Sequence, residues 1–70
     1  MLSPAYGYLA EAQQDQEFIT IRTASGESCR GVVNRLTEDS VTITNGSAPY
    51  TFALSEVDRI RTDKKGWFRP

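Results

Sequence analysis

Gly26-Glu27-Ser28-Cys29-Arg30-Gly31-Val32-Val33-Asn34-Arg35-Leu36 is the stretch on which the fold reading turns. Cys29, Gly31 and Val33 keep a period of two, as a strand with one buried face demands. The next large apolar residue is Leu36, one position later than that period allows. Such a phase slip is what a β-bulge or sharp bend produces, and it falls at Asn34-Arg35. Gly31 in mid-strand permits close approach of a neighbouring backbone. Gly26, in the turn Ala24-Ser25-Gly26-Glu27, is free to take the positive φ of a hairpin. The stretch therefore predicts a bent strand over about 28–36, hairpinned to the strand before it.

Reading outward, residues 17–23 alternate, with Ile19 and Ile21 on one face and Thr20 and Arg22 on the other. After a turn at Thr37-Glu38-Asp39, residues 40–44 alternate again, with Val41 and Ile43 inward. Asn45-Gly46-Ser47 is a hairpin signal. Pro49 opens a fourth strand in which Tyr50, Phe52 and Leu54 share a face. Ser55-Glu56 makes a one-turn connection to a short fifth strand, residues 57–61, anchored by Val57 and Ile60. In front, Ser3-Pro4 starts a helix over about 4–13, a capping hydroxyl followed by proline at the first helical position. Leu2, Tyr6, Leu9, Ala10 and Gln13 fall near one face of it. Gly7 weakens the helix by roughly 1 kcal/mol relative to alanine, and Gln13-Gln14-Asp15-Gln16 forms a polar exit. Residues 62–70 are a basic, aromatic-bearing tail. The pattern predicts one mainly β domain over residues 1–70: a short helix, then a five-stranded, strongly bent barrel over about 17–61.

With 70 residues, such a domain buries only ~60% of the surface its unfolded chain exposes. Small domains compensate with disulfides, a metal or association. Cys29 is the only cysteine and there is no histidine, so an internal disulfide is excluded and a closed zinc shell lacks donors. Self-association is the expectation that remains. A lone cysteine fits a reducing compartment. Residues 1–14 lack a basic n-region and a continuous apolar core, and nothing approaches the ~20 apolar residues of a membrane span. The expected location is the cytoplasm.

The net charge is −1, against a generic nucleic-acid binder, but its distribution is uneven. Residues 1–58 carry three arginines, Arg22, Arg30 and Arg35, against eight acids. Residues 59–70 carry Arg59, Arg61, Lys64, Lys65 and Arg69 against Asp63. A segregated positive tail points to a polyanion or an acidic neighbour.

A helix before five strands, glycines spaced like Gly26 and Gly31, the run Gly31-x-Val33-x-x-Leu36, and the closing Val57-x-x-Ile60 together resemble the Sm-like (LSm/Hfq-type) family of small SH3-like barrels. The resemblance implies a closed homo-oligomeric ring, in which the fourth strand of one protomer pairs with the fifth of the next. It does not bring the family's RNA chemistry with it. RNA-binding members present an aspartate and then an asparagine after the second strand. Aligned on Gly31 and Leu36, those positions hold Thr37 and, nearby, Val41. The second signature, Ile-Arg-Gly or Lys-His, falls on Phe52-Ala53-Leu54. Ile60-Arg61 lies past the correct phase. Uridine recognition at an inner pore is therefore not implied.

The candidate nucleic-acid contacts are instead Arg61, Lys64, Lys65, Trp67, Phe68 and Arg69. Their cations attract phosphate, and the aromatic pair can stack on unpaired bases at ~1–3 kcal/mol each. The commoner role for such a pair is to cover the barrel or a neighbouring subunit. Arg22, Arg30 and Arg35 read as outward arginines whose stems cover apolar edges. Glu38-Asp39 reads as a solvated turn rather than a cation site, and Glu56 with Asp58 has no partner base for catalysis. Cys29 lacks the base a nucleophile needs. Tyr6, Tyr8, Tyr50 and Phe52 read as packing residues more readily than as a ligand cage. No catalytic residue, metal, cofactor or small-molecule substrate is indicated. The expected function is a non-enzymatic ring that binds or scaffolds, with RNA as candidate partner. The alternatives are an interaction module with no nucleic-acid role, or a monomeric SH3/Tudor-like peptide binder.

Overall fold

Alternation sets the strands and turn chemistry ends them. In the computed structural model, which describes residues 4–64 and 66–69, α1 (Pro4–Asp15) is followed by β1 (Phe18–Thr23), β2 (Ser28–Leu36), β3 (Ser40–Asn45), β4 (Ala48–Ala53) and β5 (Val57–Thr62). A 3₁₀ turn, Leu54–Glu56, joins the last two strands. Ser3 and Leu2, expected to cap and face the helix, and the candidate contact Lys65 lie outside the described residues. Among the described residues no helix is long and apolar enough to cross a membrane.

The strands form one antiparallel sheet in the order β4-β3-β2-β1-β5. This corrects the expected barrel. β4 and β5 lie at opposite edges and do not pair, so the sheet stays open and is not strongly curled. The register irregularity foreseen near Asn34 is present between Val33 and Arg35, and a second lies between Arg22 and Thr23. Neither carries the sheet round to closure. What covers the apolar face is the helix, packed against β2 and touching β5. Ile19, Ile21, Val33, Val41, Ile43, Leu54, Val57 and Ile60 form the buried cluster with it.

Gly31 is required by close approach. A Cβ built on it lies 2.5 Å from the backbone oxygen of Thr44, a carbonyl that cannot swing aside as a side chain could. At the far end of β3, only Gly46 (φ 72°) is left-handed in the Gly46-Ser47 turn, placed between the paired Asn45 and Ala48. The hairpin therefore pivots on Gly46-Ser47, within the expected Asn45-Gly46-Ser47 turn.

The buried helix face is Ala5, Leu9 and Ala12; of the expected face, Leu9 is fully buried while Tyr6, Ala10 and Gln13 are only half-buried. Small residues let the helix axis come close to the sheet, and Tyr6 and Tyr8 pack at the margins of the cluster. The helix ends in a Schellman motif. Gln16 takes a left-handed φ of 53°, its N–H donates to Gln13 O at 3.2 Å, and Glu17 N–H donates to Ala12 O at 3.1 Å.

Candidate functional site

Residues directly opposite one another in an antiparallel pair project from the same face. Arg22 lies opposite Arg59, and Thr20 lies between Arg61 on β5 and Arg30 on β2. Three neighbouring strands thus place four arginines on the face turned away from the core. Arg22 and Arg59 are a directly opposed like-charge pair, an arrangement that costs stability of order 0.2–1 kcal/mol.

The four cations are not equally free. Arg30 donates to Asp63 Oδ2 at 2.8 Å and its guanidinium lies 4.6 Å from the Phe18 ring centroid. Both partners of that ion pair are half-exposed, so its worth is small. Arg59 Nε approaches Asp58 Oδ2 at 3.3 Å, but without hydrogen-bond geometry. That nitrogen is sealed from solvent and, among the described residues, has no hydrogen-bond acceptor. Arg61 lies 5.2 Å from the Trp67 ring centroid, a cation–π contact that joins the arginine face to the tail.

The tail is not a free arm. Ile60 N–H donates to Phe68 O at 2.9 Å and Phe68 N–H donates to Ile60 O at 2.7 Å, so the chain folds back along the outer edge of β5. The Phe68 ring stacks on Tyr8, with centroids 4.7 Å apart and planes 15° from parallel. Lys64 Nζ pairs with Glu17 Oε1 at 3.3 Å. Of the sequence candidates, Arg61 and Trp67 (45% exposed) stand together at the surface, and Arg69 is exposed beside them in the chain. Phe68 is committed to packing, and Lys64 to an ion pair. Sequence reasoning had set Arg22 and Arg30 aside and passed over Arg59. What unites them is register across strands far apart in the chain, which no local pattern contains.

The remaining candidates resolve simply. Thr37 Oγ1 accepts from the N–H of Asp39 at 3.3 Å and of Ser40 at 3.0 Å, so the Glu38-Asp39 turn is organised by a hydroxyl. Among the described residues no three acidic, cysteine or histidine side chains converge to hold a metal. Burial pushes the Cys29 thiol up from its ordinary value, against a smaller lowering by its backbone hydrogen bond with Arg30, and a protonated thiol is a poor nucleophile. The four aromatics do not form a cage. Tyr8 stacks on Phe68, while Tyr50 and Phe52 line a shallow cavity of about 550 Å³ with Cys29, Arg30 and Asn45. Tyr50 is opposite Ile43 and Phe52 opposite Val41, so both face the core side, beyond the part that the helix covers.

The sequence matches no protein-family model and no curated protein. The structure does find a likeness in fold. It superposes on the 1.55 Å crystal structure of Hfq, a pleiotropic translational regulator, with a TM-score of 0.75, over 90% of this chain and 100% of that one. The chain has the fold of Hfq. Sequence identity is 12%, so the likeness to Hfq is one of architecture, the level at which a helix before five strands, Gly26, the run Gly31-x-Val33-x-x-Leu36 and Val57-x-x-Ile60 had pointed. Hfq contributes nothing by itself about which side chains of this chain act.

Proposed function

We propose that this chain is a homo-oligomeric, non-enzymatic scaffold. It assembles as a ring by pairing the β4 edge with the β5 edge of the next copy, and binds single-stranded RNA through its outward arginines and Trp67. The observation that carries the RNA reading is the arginine face. A phosphate placed against the opposed guanidinium groups of Arg22 and Arg59 relieves their repulsion. Arg61, Trp67 and Arg69 continue that surface, with an aromatic ring on which a base can stack. The contact lies on the sheet face, in keeping with the missing pore signatures. Lys64 adds positive charge at the margin, and Lys65 follows it in the sequence. A likeness to a translational regulator favours an RNA-facing role.

Assembly is supported by the open sheet. Among the described residues no strand pairs with the outer edge of β4, and unpaired edges invite another strand. Tyr50, 49% exposed, and Phe52 extend the core side towards that edge, where a second copy can cover them. A closed head-to-tail ring satisfies both edges of every subunit and repeats a weak arginine face around the assembly. A reducing, cytoplasmic setting suits the single protonated thiol.

The second reading is a protein-interaction module without nucleic acid, favoured by the pairing of Arg30 with Asp63 and Lys64 with Glu17. The deciding experiment is fluorescence anisotropy with short uridine-rich and adenine-rich RNA at two salt concentrations, on the native chain and on Arg22→Ala/Arg61→Ala. The RNA reading expects weaker binding and a flatter salt dependence in the variant, by about 0.7 in log–log slope for each phosphate that the variant no longer neutralises. No binding at low salt by the native chain supports the second reading.

A further inference from the structure

We infer that the C-terminal segment is a built-in cap on the β5 edge, competing with β4 of a second copy for the same backbone groups. The inference rests on the assembly reading above and adds its control. In an antiparallel strand, successive residues direct their N–H and C=O groups to opposite sides. Ile60 is opposite Ile21 on β1, yet both of its backbone groups are bonded to Phe68. They therefore point outward, along the line a neighbouring strand must take. An N–H that donates to Phe68 O is not available to a second chain, so cap and neighbour exclude one another at Ile60.

The cap is fastened at three points. The Ile60–Phe68 bridge is the first, the Tyr8–Phe68 stack ties it to the helix, and Lys64 with Glu17 anchors the return. It is also short. Phe68 makes the sole isolated bridge among the described residues, and Trp67 on its approach stays 45% exposed. A strand of six residues such as β4 has more to offer the edge than a single bridge. On the other edge, the two-residue turn makes Asn45 and Ala48 a bonded pair, so alternation turns Pro49, Thr51 and Ala53 outward. Pro49, without an N–H, costs β3 nothing at such a position. The cap thus covers β5 in dilute protein and yields to β4 as concentration rises, which keeps one of the two edges from indiscriminate pairing.

The test is light scattering across a concentration series, with amide hydrogen exchange at Ile60 followed by NMR in the dilute samples. It compares the native chain with Phe68→Pro, which removes the N–H donor, and Phe68→Ala, which removes only the stack. In dilute protein the Ile60 amide should exchange faster in Phe68→Pro while Ile21 keeps its protection. The concentration for half-assembly should fall about tenfold or more, the scale of two backbone hydrogen bonds and one aromatic stack. Phe68→Ala should shift the same way by less. Unchanged or weaker assembly, with Ile60 exposed, overturns the competition and leaves the ring reading standing. An Ile60 amide that does not respond shows that there is no cap. Monomers at every concentration in all three chains defeat the ring reading, and the cap loses its competitor with it.

Discussion

The two faces of the sheet are made by the same strands and obey different rules. On the inner face, Ile19, Ile21, Val41, Ile43 and Ile60 are fully buried, packed among themselves and beneath the helix. On the outer face of the same strands stand Thr20, Arg22, Arg30, Arg59 and Arg61. The inner arrangement is what stability asks for: apolar, β-branched and closely packed. The outer one is not. A sheet that needed only solubility would alternate charges, whereas this one sets Arg22 against Arg59. A pattern that stability does not call for is where function is to be sought, and substitutions on the two faces should part company in sign.

The largest effect belongs to the inner face. Ile21→Ala should destabilise by about 2–5 kcal/mol, a large share of what a chain of this size possesses, roughly 0.05–0.15 kcal/mol per residue. Urea unfolding followed by circular dichroism, at one fixed protein concentration, reads it directly. A loss under about 1 kcal/mol breaks the claim that the inner face is a packed core. Next comes Gly31→Ala, expected to cost about 1–3 kcal/mol by overpacking, because the new methyl group meets the Thr44 carbonyl rather than a movable side chain. If Gly31→Ala unfolds at the native urea midpoint, β2 and β3 are not held at the separation described.

These two residues also mark what was legible in the sequence. The period of two named Ile19, Ile21, Val41 and Ile43, and the slip at Leu36 named the bulge, because strand burial and strand phase are local properties. Gly31 was legible for the same reason. Closure was not. Whether β4 meets β5 depends on the curl summed over all five strands, which no local pattern contains. On the helix, Leu9 was legible, while Ala5 and Ala12 were not, because small residues carry little hydrophobic signal and bury through proximity. The arginine face was missed because Arg22 and Arg59 are neighbours only through β1–β5 register.

Between the two faces lies a control that should move stability without touching either. Gln16 occupies the left-handed position of the helix terminus, where an L-residue costs roughly 1–2 kcal/mol. Gln16→Gly removes that strain while adding freedom to the unfolded chain, for a net stabilisation of about 0.5–1 kcal/mol. RNA affinity should not change. Were it to change, stability alone would be driving the binding signal, and the outer-face variants would have to be judged against it.

The smallest change in stability is the most telling, because it is expected to be favourable. Arg22→Thr replaces one member of the opposed pair by a good strand former, and Thr already stands two positions away on the same face at Thr20. Relief of like-charge repulsion should stabilise the sheet by about 0.2–1 kcal/mol, and more at low salt than at high, since Arg22 is exposed to screening. The same substitution removes one of the cations proposed to hold phosphate, so RNA affinity should fall. A core residue cannot behave this way: losing it lowers stability and binding together. A gain in stability with a loss of binding places Arg22 on a functional surface. A loss of both would return it to the role of a structural arginine whose stem shields the β1–β5 seam.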